Sequence, residues 1–311
     1  DWSSDVCSSD LAIYPGDLEV LETLAKETQL NIEVAPVHAD SGLTNIEWVR
    51  QRSETLGKEL AAVAFPQVNS LGLLEDVHAL TDLCWEHQLQ SIALIDPLLL
   101  AGENGLLPPS RFGSEEQGTH MFVGEGQHLA IGPNFGGPGL GVFGIRFNDQ
   151  HKTSIRATAG RYVGKGRDAN GNEALSLVIS TREQHIRREK ATSNICSNQS
   201  FLATLAGASM LARGDKGLEQ THRVARANAL TLARDVFSRE GLELSYPNAP
   251  FYHEICLRSR IHDVDALIER AREAGLHLGV NVSERIGDGD QHLMISLSDI
   301  HGEQEMQKLI D

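Results

Sequence analysis

The sequence predicts an α/β protein: a large, mostly parallel sheet flanked by helices, then long helices and a small carboxy-terminal α+β unit. Three observations carry this expectation. Helical and strand periodicities alternate through the first part of the chain. Two of the strands, LAAVAF at 60–65 and SIALI at 91–95, are unbroken apolar runs of the kind buried on both faces of a parallel sheet. Past Ser197 the alternation gives way to long helical spacing, which ends in a strand–helix–strand–helix tail.

The elements follow in order. In residues 17–30, Leu18, Leu21, Leu24 and Ala25 share a helical face, and Ile32 and Val34 then alternate with polar neighbours as in a short strand. Thr44 followed by Glu47 reads as a capping box that opens a helix through Trp48 and Leu56 and leads into the 60–65 strand. Residues 76–86 read as a helix and 91–95 as a buried strand that stops at Asp96-Pro97. Strands are expected near Met121–Val123 and Gly141–Phe147, and DANGN at 168–172 is a turn between extended segments. Residues 102–118, rich in Gly, Pro, Ser and Glu, read as a surface loop. Beyond Ser197, Ala225, Ala229, Leu232 and Val236 are spaced for one buried helical face. The tail gives strands at 251–257 and 292–297, a helix at 263–274 and a last helix from Gly302. The expected domains are 12–196, part of a large α/β domain, and 197–311, the long helices with the small α+β domain. Residues 1–11, DWSSDVCSSDL, have neither periodicity and resemble a translated sequencing-adaptor scar, so the fold is expected to begin at Ala12.

Composition narrows the function. The 311 residues suffice for a sizeable core, and no apolar run approaches a membrane span. A formal charge of −16 repels phosphate backbones and argues against a nucleic-acid partner. The cysteines, Cys7, Cys84, Cys196 and Cys256, have no metal-ligand spacing, so no metal site is expected and a reduced, cytoplasmic setting fits them.

Local basic chemistry is concentrated at 181–199, where Arg182, His185, Arg187, Arg188 and Lys190 crowd together in an otherwise acidic chain. Guanidinium forks bind carboxylate or phosphate bidentately, and Thr192, Ser193 and Asn194 add neutral donors. The same residues, interleaved with Glu183 and Glu189, suit an internal ion-pair network equally well, and spacing leaves the two open. Cys196 with His185 has no motif that marks a nucleophile and its base. The glycine-rich 123–141 segment fits neither the Walker pattern nor the dinucleotide fingerprint, and reads as structural turns. Asp96, at the end of a buried strand, stands where open α/β sheets place ligand-binding groups, although a lone aspartate there is more often a cap or loop anchor.

TREQHIRREKATSNICSN (181–198) closely resembles the signature of the glycine cleavage system P-protein, and the resemblance runs through nearly all of 12–311. VGEGQ (123–127) and NFGGPGLG (134–141), with LEVLETLA (18–25) and PQVNSLGLLED (66–76), look like subunit 1 of the split form of that enzyme rather than half of the fused form. The resemblance implies the aspartate-aminotransferase-like fold of pyridoxal-phosphate enzymes, fold type I. It implies a heteromer in which a related, lysine-bearing subunit 2 holds pyridoxal 5'-phosphate, releases carbon dioxide from glycine and passes the aminomethyl group to a lipoyl carrier, the H-protein. Registering the family's GGPG on 136–139 puts Gln127 at the position of the lysine that forms the Schiff base, and there is no lysine between Lys58 and Lys152. Asp96 falls at the pyridinium-binding aspartate. The implied role is therefore non-catalytic: a vestigial site with no activity alone, completing the partner's site, with Arg182, His185, Arg187, Arg188, Lys190, Thr192, Ser193 and Asn194 at or near the shared interface or lipoyl channel. The family pattern also implies further residues before Ala12. Two other readings stand beside this one. A fold type I enzyme working alone is disfavoured by the missing lysine, and a non-enzymatic scaffold would bind the carrier without affecting chemistry.

Overall fold

The computed structural model describes residues 5–9, 12–26, 28, 30–148, 155, 163–177, 187–191, 199–236 and 238–310. They form two compact units, Asp1–Gly124 with Ala212–Asp311, and Glu125–Leu211. The boundary expected at residue 196 lies outside the described residues.

In the first unit the strands β1 (Asp5–Ser9), β2 (Ile32–Ala35), β3 (Leu60–Pro66), β4 (Gln90–Ile95) and β5 (Met121–Glu125) lie in the order β2-β1-β3-β4-β5, and each pairing among them is parallel. The expectation that the first eleven residues stand outside the fold is corrected here, because Asp5–Ser9 fills the strand position between β2 and β3. Helices α1 (Pro15–Ala25), α2 (Ile46–Leu56) and α3 (Val77–Glu86) make the crossovers. Val49 from α2 and Leu80, Leu83 and Cys84 from α3 pack against Val63, Phe65, Ala93 and Ile95 of the sheet. This explains why both strands read as unbroken apolar runs.

Three local expectations change. The cap of α2 is Asn45, whose side chain accepts from Trp48 N, while Thr44 N is drawn away to Glu75. No residue of α1 is buried: Leu18, Leu21 and Ala25 are half-buried, while Val20 is exposed and Leu24, at the flank of that face, stands 64% exposed. The 102–118 segment is more than a surface loop: it carries a short turn at Pro109–Arg111, and Phe112 is wholly buried in the sheet core.

After a break at Gly214, whose φ of 64° ends regular helix, the second part of α5 (Gln199–Val236) belongs to the first unit. Ala225, Ala229, Leu232 and Val236 are all buried, as their spacing requires. The second unit carries β6 (Gly141–Ile145) and the antiparallel pair β7 (Val163–Arg167) and β8 (Glu173–Leu177). In the first unit Ala229, Leu232 and Val236 pack on an antiparallel sheet of order β11-β12-β10-β9, formed by Leu242–Leu244 (β9), Glu254–Ser259 (β10), Val280–Asn281 (β11) and Gln291–Ser296 (β12). Val264, from α6 (Val264–Glu273), and Met306, from α8 (Glu303–Ile310), complete that core. A four-residue helix, α7 (Ser283–Ile286), follows β11.

The segment after β3, 66–76, joins the two sheets. Leu73 bridges Phe251, Leu74 N donates to Pro250 O, and Tyr252 N donates to Gly72 O. Gly72 has φ +77°, and a Cβ there would collide with the Glu254 carbonyl, so only glycine lets the backbones approach. Fully buried Asn69 holds the segment in shape. Its Oδ1 accepts from Leu71 N and Leu73 N, both at 3.0 Å, and its Nδ2 donates to Gly42 O at 3.0 Å and to Glu75 Oε1 at 2.8 Å. Asn69→Ala leaves those groups buried and unpaired, and the expected loss of stability is about 3 kcal/mol. Urea unfolding of the variant should show a lower midpoint with an unchanged slope; a loss below about 1 kcal/mol would contradict the central role of this side chain.

Candidate functional site

The carboxyl edge of a parallel sheet is where ligands of open α/β folds bind. Pro66 pairs with Leu94 and Ile95 with Gly124, so β3, β4 and β5 all run out at this edge. Asp96 is the first residue beyond β4. Its Oδ1 accepts from Leu98 N at 2.9 Å and caps the short turn Pro97–Leu100, so the bland reading of this residue as a cap describes at least one of its roles.

Around Asp96 the fold gathers groups that sequence reasoning did not single out. The Tyr14 hydroxyl donates to Glu254 Oε2 at 2.6 Å. Burial, Glu254 and Asp96 together push this phenol far above its ordinary value, against the opposing charge of Arg285. Arg285, on α7, donates to Ile13 O at 3.1 Å and to Ser70 Oγ. Tyr252 is likewise raised, by burial first and by Asp96 and Glu219, with Arg226 opposing. Its hydroxyl lies 2.7 Å from His222 Nδ1, and His222 Nε2 lies 2.9 Å from Ala101 O. A carbonyl can only accept, so the neutral ring carries its proton on Nε2 and Nδ1 accepts from the phenol. One signal in the sequence could have found His222: it stands three residues before Ala225 and so falls on the buried face of its helix.

A second cluster lies on the antiparallel sheet. Ser245 Oγ is 2.9 Å from His292 Nδ1, and His292 Nε2 is 3.0 Å from Asp288 Oδ1. The residue types are those of a hydrolase triad, but Ser245 is buried and its hydroxyl also meets Cys256 Sγ at 3.3 Å. The arrangement ties the turn around Asp288 to the sheet instead of presenting a nucleophile. Burial also pushes the Cys256 thiol up to about 11, which keeps it unreactive.

In the second unit Glu125 organises the glycine-rich segments. Its Oε1 accepts from Gln127 N and from Leu140 N, each at 2.7 Å, and Gly126 N donates to Leu140 O at 2.7 Å. VGEGQ and NFGGPGLG are thus stapled to each other. Gln127 begins the short helix α4 (Gln127–Ala130), and its side-chain Nε2 is buried without a hydrogen-bond partner among the described residues. Of the basic segment, Arg187 and Arg188 are described and exposed, and Arg188–Lys190 forms a single tight turn. Arg182, His185, Thr192, Ser193, Asn194 and Cys196 lie outside the described residues.

The Asp288 carboxyl is held below the usual carboxylate range. Burial opposes its ionisation, but the Asp290 N–H, His292 and Arg258 outweigh that. A depressed value contributes stability above the unfolded carboxylate value of about 3.9, and the contribution disappears as pH falls through the folded value. Asp288→Asn is therefore expected to lower stability at pH 6 and to flatten the loss of stability below about pH 4. Denaturant unfolding between pH 2.5 and 6, those limits being roughly the window set by these values, tests this. Identical pH slopes for the variant and the parent would contradict it.

Comparison with known proteins agrees with this architecture. The family described as glycine cleavage system P-protein matches residues 5–311. A relative from Francisella philomiragia, named probable glycine dehydrogenase (decarboxylating) subunit 1, is 30% identical over 300 residues, covering 96% of this chain and 63% of the relative. The chain thus spans less than two thirds of the length of that relative. A crystal structure of glycine decarboxylase (P-protein) of the glycine cleavage system, in inhibitor-bound form, superposes with a TM-score of 0.80 at 25% identity, over 99% of this chain and 64% of that one. A mutant of the lyase C-DES with glycine covalently linked to its PLP cofactor matches with a TM-score of 0.63 at 15% identity, over 99% of this chain and 73% of that one, and shows the fold alone. The fold is that of the pyridoxal-phosphate enzymes of fold type I, and the chain belongs to the glycine cleavage system P-protein family.

Proposed function

We propose that this chain is the non-catalytic subunit of a two-subunit glycine decarboxylase, and that it works by completing a site on a related, lysine-bearing subunit. The observation that carries the reading is Gln127, at the head of the helix after β5 in a chain of this family. Pyridoxal phosphate is held in fold type I enzymes as an imine of a lysine amine. A carboxamide nitrogen, its lone pair delocalised into the carbonyl, does not form one. The residues here therefore do not fit covalent attachment of the cofactor, and no chemical step is assigned to this chain. The naming of relatives as subunit 1 supports a second subunit as the partner that carries the cofactor. Glycine and a lipoyl carrier protein are the expected substrates of the assembly.

Exposed Arg187 and Arg188 are proposed to lie at or near the face toward the partner or the lipoyl arm, together with Arg182, His185, Lys190, Thr192, Ser193 and Asn194. Guanidinium groups at such a face supply bidentate hydrogen bonds and long-range attraction to an acidic carrier.

Exchange of labelled bicarbonate into the carboxyl group of glycine isolates the decarboxylation step. The complete natural polypeptide is expected to show no exchange alone and full exchange with the lysine-bearing subunit and carrier; exchange by this chain alone would overturn the reading. Replacing Arg187 and Arg188 by alanine is expected to reduce exchange by the assembled enzyme about tenfold or to weaken assembly to a similar degree. If sedimentation and turnover both match the parent, the interface assignment is wrong. Loss of carrier binding with exchange intact would instead favour a scaffold that only recruits the carrier.

A further inference from the structure

One face of the helix after Gly214 carries Glu219, His222 and Arg226, spaced by three and four residues so that all three point the same way. Together they touch two chain segments. Glu219 accepts from Asn104 Nδ2, and a Cβ on Gly102 would collide with it. Arg226 donates to the carbonyls of Phe251 and Tyr252, and its guanidinium lies 5.6 Å and 5.1 Å from the centres of their rings. His222, between them and 1% exposed, touches both segments at once: Ala101 O through Nε2, and the Tyr252 hydroxyl through Nδ1.

The first segment is the continuation of the turn that Asp96 caps. Ala101 N bonds Leu98 O, and Leu106 N bonds Leu99 O. The second enters β10, where Glu254 holds Tyr14. The imidazole is rigid because both nitrogens are used and the ring is buried. Removing either partner leaves a ring nitrogen buried without its hydrogen bond, which destabilises the ring's position between the two segments.

We propose that His222 is a mechanical link between the Asp96 turn and the entry to the antiparallel sheet, so that the two segments open together. The link joins the sheet edge where ligands of this fold class bind to the smaller sheet, and it requires no assumption about which subunit holds a cofactor.

Hydrogen exchange read by mass spectrometry on the intact chain tests this. Tyr252→Phe removes one oxygen and keeps the ring under Arg226. It is expected to speed exchange roughly fivefold to tenfold in peptides covering 97–106, a segment it does not belong to, as well as in 250–253, while the β3 strand at 60–66 is unchanged. His222→Gln should accelerate the same pair of segments, and if it fails to fold, Tyr252→Phe decides alone. Asn228→Ala, on the same helix but bonded to Ser298 O and His301 O, serves as the control and should leave both segments at the parent rate. Acceleration confined to 250–253, spread uniformly over the chain, or absent would overturn the proposal.

Discussion

Everything else in the first unit depends on a buried polar knot. The segment that leaves β3 must turn back on itself between two sheets, where its backbone groups have no water to bond. Asn69 supplies both an acceptor and a donor at the middle of the turn, and Glu75 takes the N–H of Thr44 and the Asn69 amide. Burial pushes the Glu75 carboxyl up, against those donors, so the knot holds an ionisable group at a cost offset only while all its partners stay in place. Gly72 then lets the turn press against the backbone of Glu254. This packing, with the long helix that lies on the antiparallel sheet, helps to bring Tyr14, Arg285 and Tyr252 to the carboxyl edge of β3 and β4.

The same logic explains the chemistry at that edge. A parallel sheet places the ends of its strands side by side and leaves the loops free to carry polar groups. Here those loops are held by side chains from elsewhere: Arg285 on the segment before α1, His222 on the turn after Asp96, Glu254 on Tyr14. In the second unit Glu125 does the corresponding work for the two glycine-rich stretches. What this framework lacks is an amine at Gln127. On the proposed reading, a family whose chemistry begins with an imine keeps its architecture in this chain and leaves the covalent step to a relative.

Much of the fold was legible because burial writes itself into periodicity. The apolar runs of β3 and β4, the helices read at 76–86 and 263–274, and the helical face of Ala225, Ala229, Leu232 and Val236 all lie where the pattern puts them, to within a residue at the ends. Features set by tertiary partners were not legible. Thr44 had the spacing of a cap, but its N–H is claimed by a carboxylate 31 residues away. Leu24 and Ala25 are adjacent and so about 100° apart around α1, and only Ala25 turns far enough inward to be half-buried. Asp5–Ser9 is too short to show a period, and its strand position is defined by the neighbours it pairs with. Likewise Tyr14 stands 240 positions from Glu254, and Arg285 stands 272 from Ile13, so nothing local marks these groups as neighbours.

The proposed function requires that this chain hold no cofactor by a covalent bond. Reduction of the assembled enzyme with tritiated borohydride fixes pyridoxal phosphate to whichever lysine bears it, and separating the subunits then shows where the label lies. All label on the lysine-bearing subunit and none on this chain is the predicted result; stoichiometric label on this chain would contradict the claim and place an anchoring lysine somewhere other than position 127.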